Sequence, residues 1–114
     1  MPHIIIEYSK NLGEIIEISD LVSGLHKALS DEGIDRARIK TRAYAIDYVM
    51  VGDHDLSGHM IHTTLLLLEG RDLETKKQYG DALHKTMHEH VDGIVNECAV
   101  TLEIRDMDKD TYYL

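Results

Sequence analysis

Apolar residues change their spacing several times along the chain, and each change marks an element. Ile4, Ile5 and Ile6 form a β-branched run that predicts a first strand over residues 4–8, followed by a turn over 9–13. Leu21, Val22, Leu25, Ala28 and Leu29 recur on one helical stripe, with Ser19 or Asp20 placed to cap its start and Gly33 its end. A helix is therefore expected over about 20–31. From 37 to 51 the spacing returns to alternation, with Ile39, Thr41, Ala43 and Ala45 on one side and Lys40, Arg42, Tyr44 and Ile46 on the other. That predicts one long second strand, bent near Asp47. Residues 52–58 form a polar loop with a glycine at each end, and 60–68 read as a third strand. Asp72 is placed to cap a second helix whose buried stripe is Tyr79, Leu83, Met87, Val91 and Ile94. Residues 99–104 form a fourth strand, and the acidic tail over 106–114 has no clear class.

The order β-α-β, loop, β-α-β is echoed in the residues. Leu25-His26-Lys27-Ala28-Leu29 matches Leu83-His84-Lys85-Thr86-Met87 at an offset of 58, which also lays the strand at Ile4 on His62 and the strand at Lys40 on Cys98. The expected fold is α+β: a single domain over residues 1–114, with two tandem β-α-β units (1–51 and 59–105) forming a four-stranded sheet with both helices on one face. Two helices cover only one face. Ile4-Ile5-Ile6 and Leu65-Leu66-Leu67-Leu68 are apolar at consecutive positions, so both faces there seek burial. With no helix to spare, the simplest cover for the second face is another copy of the chain.

Composition narrows the function. Hydrophobic residues make up 43% of the 114, enough for a core without staples, and the single Cys98 can form no internal disulfide and fits a reducing compartment. The N-terminus lacks the basic and apolar regions of a secretory signal, and no apolar run is long enough to span a membrane, so a cytoplasmic protein with no membrane partner is expected. The net charge of −9 argues against a nucleic-acid partner and requires a local cationic cluster wherever an anionic substrate binds.

Pro2 is the only proline. On position alone it is a residue tolerated at a strand start. Its setting offers more, because an initiator methionine before proline is usually removed and leaves a secondary amine at the tip of the first strand. An α-amine ordinarily titrates near ~8, and both burial and nearby cations disfavour its protonated form. A neutral amine there suits removal of a proton beside a carbonyl, or from an enol, and its return elsewhere on the same molecule. With Met1 retained, the nitrogen is an amide with no basic lone pair.

Met1-Pro2-His3-Ile4-Ile5, Ile39-Lys40-Thr41-Arg42, Gly70-Arg71-Asp72-Leu73-Glu74 and the doubled β-α-β together resemble the 5-carboxymethyl-2-hydroxymuconate isomerase family of the tautomerase superfamily, which also holds 4-oxalocrotonate tautomerase. The resemblance spans Pro2 to about Ile104. It implies a homotrimer with sheets turned inward, and a cofactor-free isomerase that shifts a dienol to an unsaturated ketone in homoprotocatechuate catabolism. It implies Pro2, Arg71 and Lys40 as catalytic residues acting on a small-molecule carboxylate; Lys40 stands where the family has arginine. Lysine offers a point charge where arginine offers a bidentate fork, and Arg42, two residues on, shares its side of the strand. Arg42 and His62 are accordingly expected to bind substrate. The alternatives are a tautomerase of another dicarboxylate or pyruvoyl substrate, and a non-catalytic trimeric assembly module.

His84, His88 and His90 have helical spacing reminiscent of a metal pair, with His54, His59 and His62 as conceivable partners. Surface histidines are the expected reading, with no metal and no cofactor. Glu7 and Tyr8 are candidates for minor roles, and Cys98 reads as a small buried apolar residue.

Overall fold

Two parallel crossovers, set back to back through one antiparallel pair, generate the sheet. The computed structural model describes all 114 residues. In chain order the elements are β1 (His3–Ser9), α1 (Ile18–Asp31), β2 (Lys40–Ile46), β3 (His59–Leu68), α2 (Leu73–Val91) and β4 (Cys98–Met107), with short 3₁₀ turns at Lys10–Glu14, Arg36–Arg38 and Asp55–Ser57. The strand order is β2-β1-β3-β4. β1 runs parallel to β2 (His3 opposite Lys40), and β3 runs parallel to β4 (His59 opposite Cys98). β1 and β3 are antiparallel, with His3 opposite Leu66.

The core lies between the sheet and the two helices. Ile4 and Ile6 from β1, and Ile61, Leu65 and Leu67 from β3, meet Leu21, Leu25 and Leu29 of α1 and Leu83 and Met87 of α2, all fully buried. Each such side chain contributes about 1.5–3 kcal/mol relative to exposure, so the i, i+4 spacing on the helices and the alternation on the strands fix which face turns inward. On the opposite, open face stand His3, Ile5 and Glu7 with their register partners Lys40, Arg42, Tyr44, Leu66, Thr64 and His62. Ile5, Leu66 and Leu68 remain only half-buried there.

Several expectations about element ends change. β2 stops at Ile46, opposite Ser9, because β1 has only seven residues to pair with; residues 37–39 belong to the 3₁₀ turn and its exit, and 47–51 are irregular. β4 runs to Met107 instead of Ile104, because β3 presents ten residues to it. α1 begins at Ile18 after Glu17, which makes no side-chain cap; Ser19 and Asp20 lie inside the first turn. α2 is capped as expected, Asp72 accepting from the Thr75 amide at 2.8 Å. Ile94 lies beyond that helix, exposed, and Val95 takes the buried place.

The offset of 58 carries Leu21, Leu25 and Leu29 onto Tyr79, Leu83 and Met87, all buried. It fails on the strands, where it sets core-facing Ile4 on His62 and open-face Lys40 on core-side Cys98. A slip of one residue reverses a strand's faces, so the strands of the two halves correspond at an odd offset.

Candidate active site

Pro2 is buried at the tip of β1, its carbonyl accepting from the Lys40 amide at 3.1 Å, which fixes the N-terminal end of the strand against β2. Around it is a cavity of about 410 Å³ lined by Met1, Pro2, Gly33, Ile34, Asp35, Arg38, Arg71 and Tyr79. Three connections converge there: the start of β1, the loop between α1 and β2, and the loop from β3 into α2.

Arg71 enters from the last of these. Gly70 has a φ of 123°, a left-handed value that favours glycine, and it turns the chain so that Arg71 points back toward the strand tip. The Arg71 guanidinium donates to the Leu68 carbonyl at 3.4 Å and lies 5.9 Å from the centre of the buried Tyr79 ring. Arg38 enters from the 3₁₀ turn. Asp35 caps that turn by accepting from the Ala37 amide at 3.1 Å and sits 3.9 Å from Arg38 Nε.

The terminal amine on Met1 is held below the ordinary value of 8.0, first by burial and then by the positive charges of Arg71, Arg38 and Lys40 in that order. This end of the chain is thus cationic within a molecule of net charge −9.

Of the residues expected from sequence, Pro2 and Arg71 come together in the cavity. Lys40 does not line it: the side chain is exposed on the open face beside His3, and its charge reaches the amine from outside. Arg42 also faces the open side, where its Nη1 donates to His3 Nδ1 at 3.0 Å. Since arginine can only donate, the His3 proton resides on Nε2 and is donated to the Tyr112 hydroxyl at 2.7 Å. Burial, Arg42 and Lys40 lower the pKa of His3. His62 stands opposite Glu7, five residues up β1 from Pro2; at ~3.3 Å per residue that is about 16 Å from the proline. It pairs with Thr101 Oγ1 at 2.7 Å and is not brought to the cavity of this subunit.

Sequence reading missed Arg38, Asp35 and the second role of Tyr79. No periodic signal marks Arg38, which lies in the 3₁₀ turn before β2 and outside the strand alternation. Tyr79 was recognised as a core residue, and it is one, but its ring also backs Arg71. The other histidines are engaged locally. His88 Nδ1 lies 3.0 Å from Asp92, His84 meets the His88 ring edge-on, His90 contacts the Thr86 carbonyl at 2.8 Å, and no group of three or more His, Cys, Asp or Glu side chains is placed to hold a metal ion. Cys98 is half-buried against the core, its thiol pKa raised by burial. No helix is long and apolar enough to cross a membrane.

Comparison with known proteins bears on the family and the fold. The sequence profile of the 5-carboxymethyl-2-hydroxymuconate isomerase family matches residues 2–113. The chain is 28% identical to the 5-carboxymethyl-2-hydroxymuconate Delta-isomerase of Escherichia coli over 110 residues, covering 94% of this chain and 87% of that one. The solved 5-carboxymethyl-2-hydroxymuconate isomerase from Deinococcus radiodurans R1 superposes with a TM-score of 0.87 at 26% identity, over 99% of this chain and 87% of that one. A fused 4-OT solved as a symmetric trimer shares the fold, with a TM-score of 0.78 at 14% identity over 98% of this chain and 92% of the other.

Proposed function

The chain belongs to the 5-carboxymethyl-2-hydroxymuconate isomerase family, and from that membership we propose that this isomerase ketonises an unsaturated dienol carboxylate, such as 5-carboxymethyl-2-hydroxymuconate, using the amine of Pro2 once Met1 has been removed. The Pro2 nitrogen takes the proton of the enol hydroxyl. The electron pair moves through the diene as the C–O bond becomes a carbonyl, and the ammonium returns the same proton to the distal carbon. Nothing is gained or lost overall, so no cofactor is required. Arg71 binds carboxylate and steadies the enolate that forms between the two transfers, and Lys40 adds positive charge from the open face.

The carrying observation is the cationic cavity at the strand tip, with Pro2 buried at its base. An amine one residue further out already has a lowered pKa there, and the Pro2 nitrogen lies deeper in the same field. Removal of Met1, which lines the cavity, would expose that nitrogen to substrate. Arg42 and His62 are not given substrate contacts in this reading, because the first is held by His3 and the second lies far up the strand.

The assembly we propose is a homotrimer with the open sheet faces turned inward. The trimeric fused 4-OT of the same fold supports it, as do Ile5, Leu66 and Leu68 on that face. A cytoplasmic setting agrees with the unpaired Cys98.

The test is ultraviolet-monitored ketonisation of the dienol by protein whose intact mass shows loss of one methionine, beside Pro2→Ala. A general base typically contributes about 10²–10⁴-fold, so a loss of that order is expected. Equal rates would remove Pro2 from the mechanism.

A further inference from the structure

We propose that Arg38 is the second carboxylate receptor of the Pro2 cavity and sets its preference for substrates bearing two carboxylates over those bearing one. This deepens the reading of Pro2 as the base, on which it rests, by naming a residue that selects the substrate.

The two guanidinium groups that line the cavity belong to Arg71 and Arg38. Arg71 is braced by the Leu68 carbonyl and the Tyr79 ring, so it presents a fixed fork. Arg38 has one ion-pair partner, Asp35, reached through Nε at 3.9 Å, and its side chain is 66% exposed. A contact of that length on an exposed pair is weak, and it leaves both Nη atoms of Arg38 free for an incoming anion. Asp35 is itself occupied as the cap of the turn, accepting from the Ala37 amide, and this sets the backbone from which Arg38 projects.

Lys40 does not compete for this role. It is exposed on the open face and does not line the cavity, and its charge acts on the terminal amine less than that of Arg38. It also lacks the planar fork that grips a carboxylate with two hydrogen bonds. With Arg38 and Arg71 positive and Asp35 negative, the ionisable side chains lining the cavity sum to +1 in a chain of net charge −9. A dicarboxylate held between the two arginines would have its reactive carbons over the proline, and would be oriented at both ends.

The experiment compares Arg38→Ala and Arg38→Lys with the wild type, each full-length and processed. Two substrates are used: 2-hydroxyhexa-2,4-dienedioate, with a carboxylate at each end, and 2-hydroxypenta-2,4-dienoate, with one. Arg38→Ala is expected to lower kcat/KM for the dicarboxylate about 10- to 100-fold more than for the monocarboxylate, with most of that difference in KM. Arg38→Lys should recover part of the loss. An equal fall on both substrates, or none on either, overturns the proposal. A second arm reads binding alone: adipate and hexanoate are titrated against wild type and Arg38→Ala by calorimetry. Weaker adipate binding in the variant, with hexanoate unchanged, supports Arg38; adipate binding that ignores the substitution overturns it. If the wild type turns over neither dienol, or Pro2→Ala retains full activity, the reading of Pro2 falls, and the binding arm still decides Arg38.

Discussion

Arg42 Nη1 donates to His3 Nδ1 across 3.0 Å on the open face of the sheet, and this bond determines what the neighbouring tail can do. It forces the His3 proton onto Nε2, where it meets the Tyr112 hydroxyl at 2.7 Å and ties the C-terminal segment to the residue after Pro2. Arg42 is one of the charges that hold the His3 pKa below its ordinary 6.5, after burial. Arg42→Gln should therefore raise the His3 pKa, read as the pH midpoint of its imidazole resonances by NMR. An unchanged or lower midpoint would show that the two side chains are not in contact in solution.

The same two states of imidazole make stability depend on pH. His3 and His26 both have folded pKa values lowered from 6.5, in each case chiefly by burial. Above 6.5 both are neutral whether the chain is folded or not, and their full contribution is present. As pH falls below 6.5 the unfolded chain takes up protons that the folded one resists, so stability declines until the folded values are passed. Thermal melts should show Tm falling over that window, and a shallower fall in His26→Gln, whose ring otherwise meets Thr41 Oγ1 at 2.8 Å. A Tm that rises on acidification through this range would contradict the assignment.

Charge also tunes the proposed base. Arg71 is the foremost cation lowering the pKa of the chain's terminal amine, ahead of Arg38 and Lys40. In the processed enzyme the acidic limb of the kcat/KM profile should lie below the ~8 of an ordinary α-amine. Lys40→Ala, which removes charge without removing a cavity-lining group, should move that limb upward. A limb that stays in place would mean the field of Lys40 does not reach the proline.

Thr63 presents a different opportunity. It faces the core from β3, fully buried, and its Oγ1 has no hydrogen-bond partner. A desolvated, unpaired hydroxyl costs about 1–3 kcal/mol, and valine has nearly the same shape. Thr63→Val should stabilise the fold by about 1 kcal/mol in urea denaturation with an unchanged m-value. Destabilisation would show that the hydroxyl is satisfied in solution.

Much of this molecule was legible in the sequence because its signals are periodic. Leu21, Leu25 and Leu29, and their counterparts Tyr79, Leu83 and Met87, announce two helices with one buried stripe each, and the alternation from Ile39 to Ile46 assigns faces correctly. Element ends were less legible, since β2 and β4 stop where their neighbours stop, and that depends on pairing between distant segments. The site divided in the same way. Pro2 and Arg71 are marked by their positions at a strand tip and a helix entry. Arg38 escaped notice because only folding brings the turn before β2 to the start of β1, and Lys40 and Arg42 drew attention by residue type although their side of the strand faces away.

Because β1 and β3 are antiparallel, the two crossovers start at opposite ends of the sheet. One begins with β1, directly after Pro2; the other begins with β3, directly after Gly58. With Met1 removed, as proposed, the first offers a nitrogen bearing a lone pair, whereas the second presents a peptide bond. However alike the two halves become in outline, they stay chemically unequal, and an electrophile that captures the terminal nitrogen should saturate at one equivalent per polypeptide.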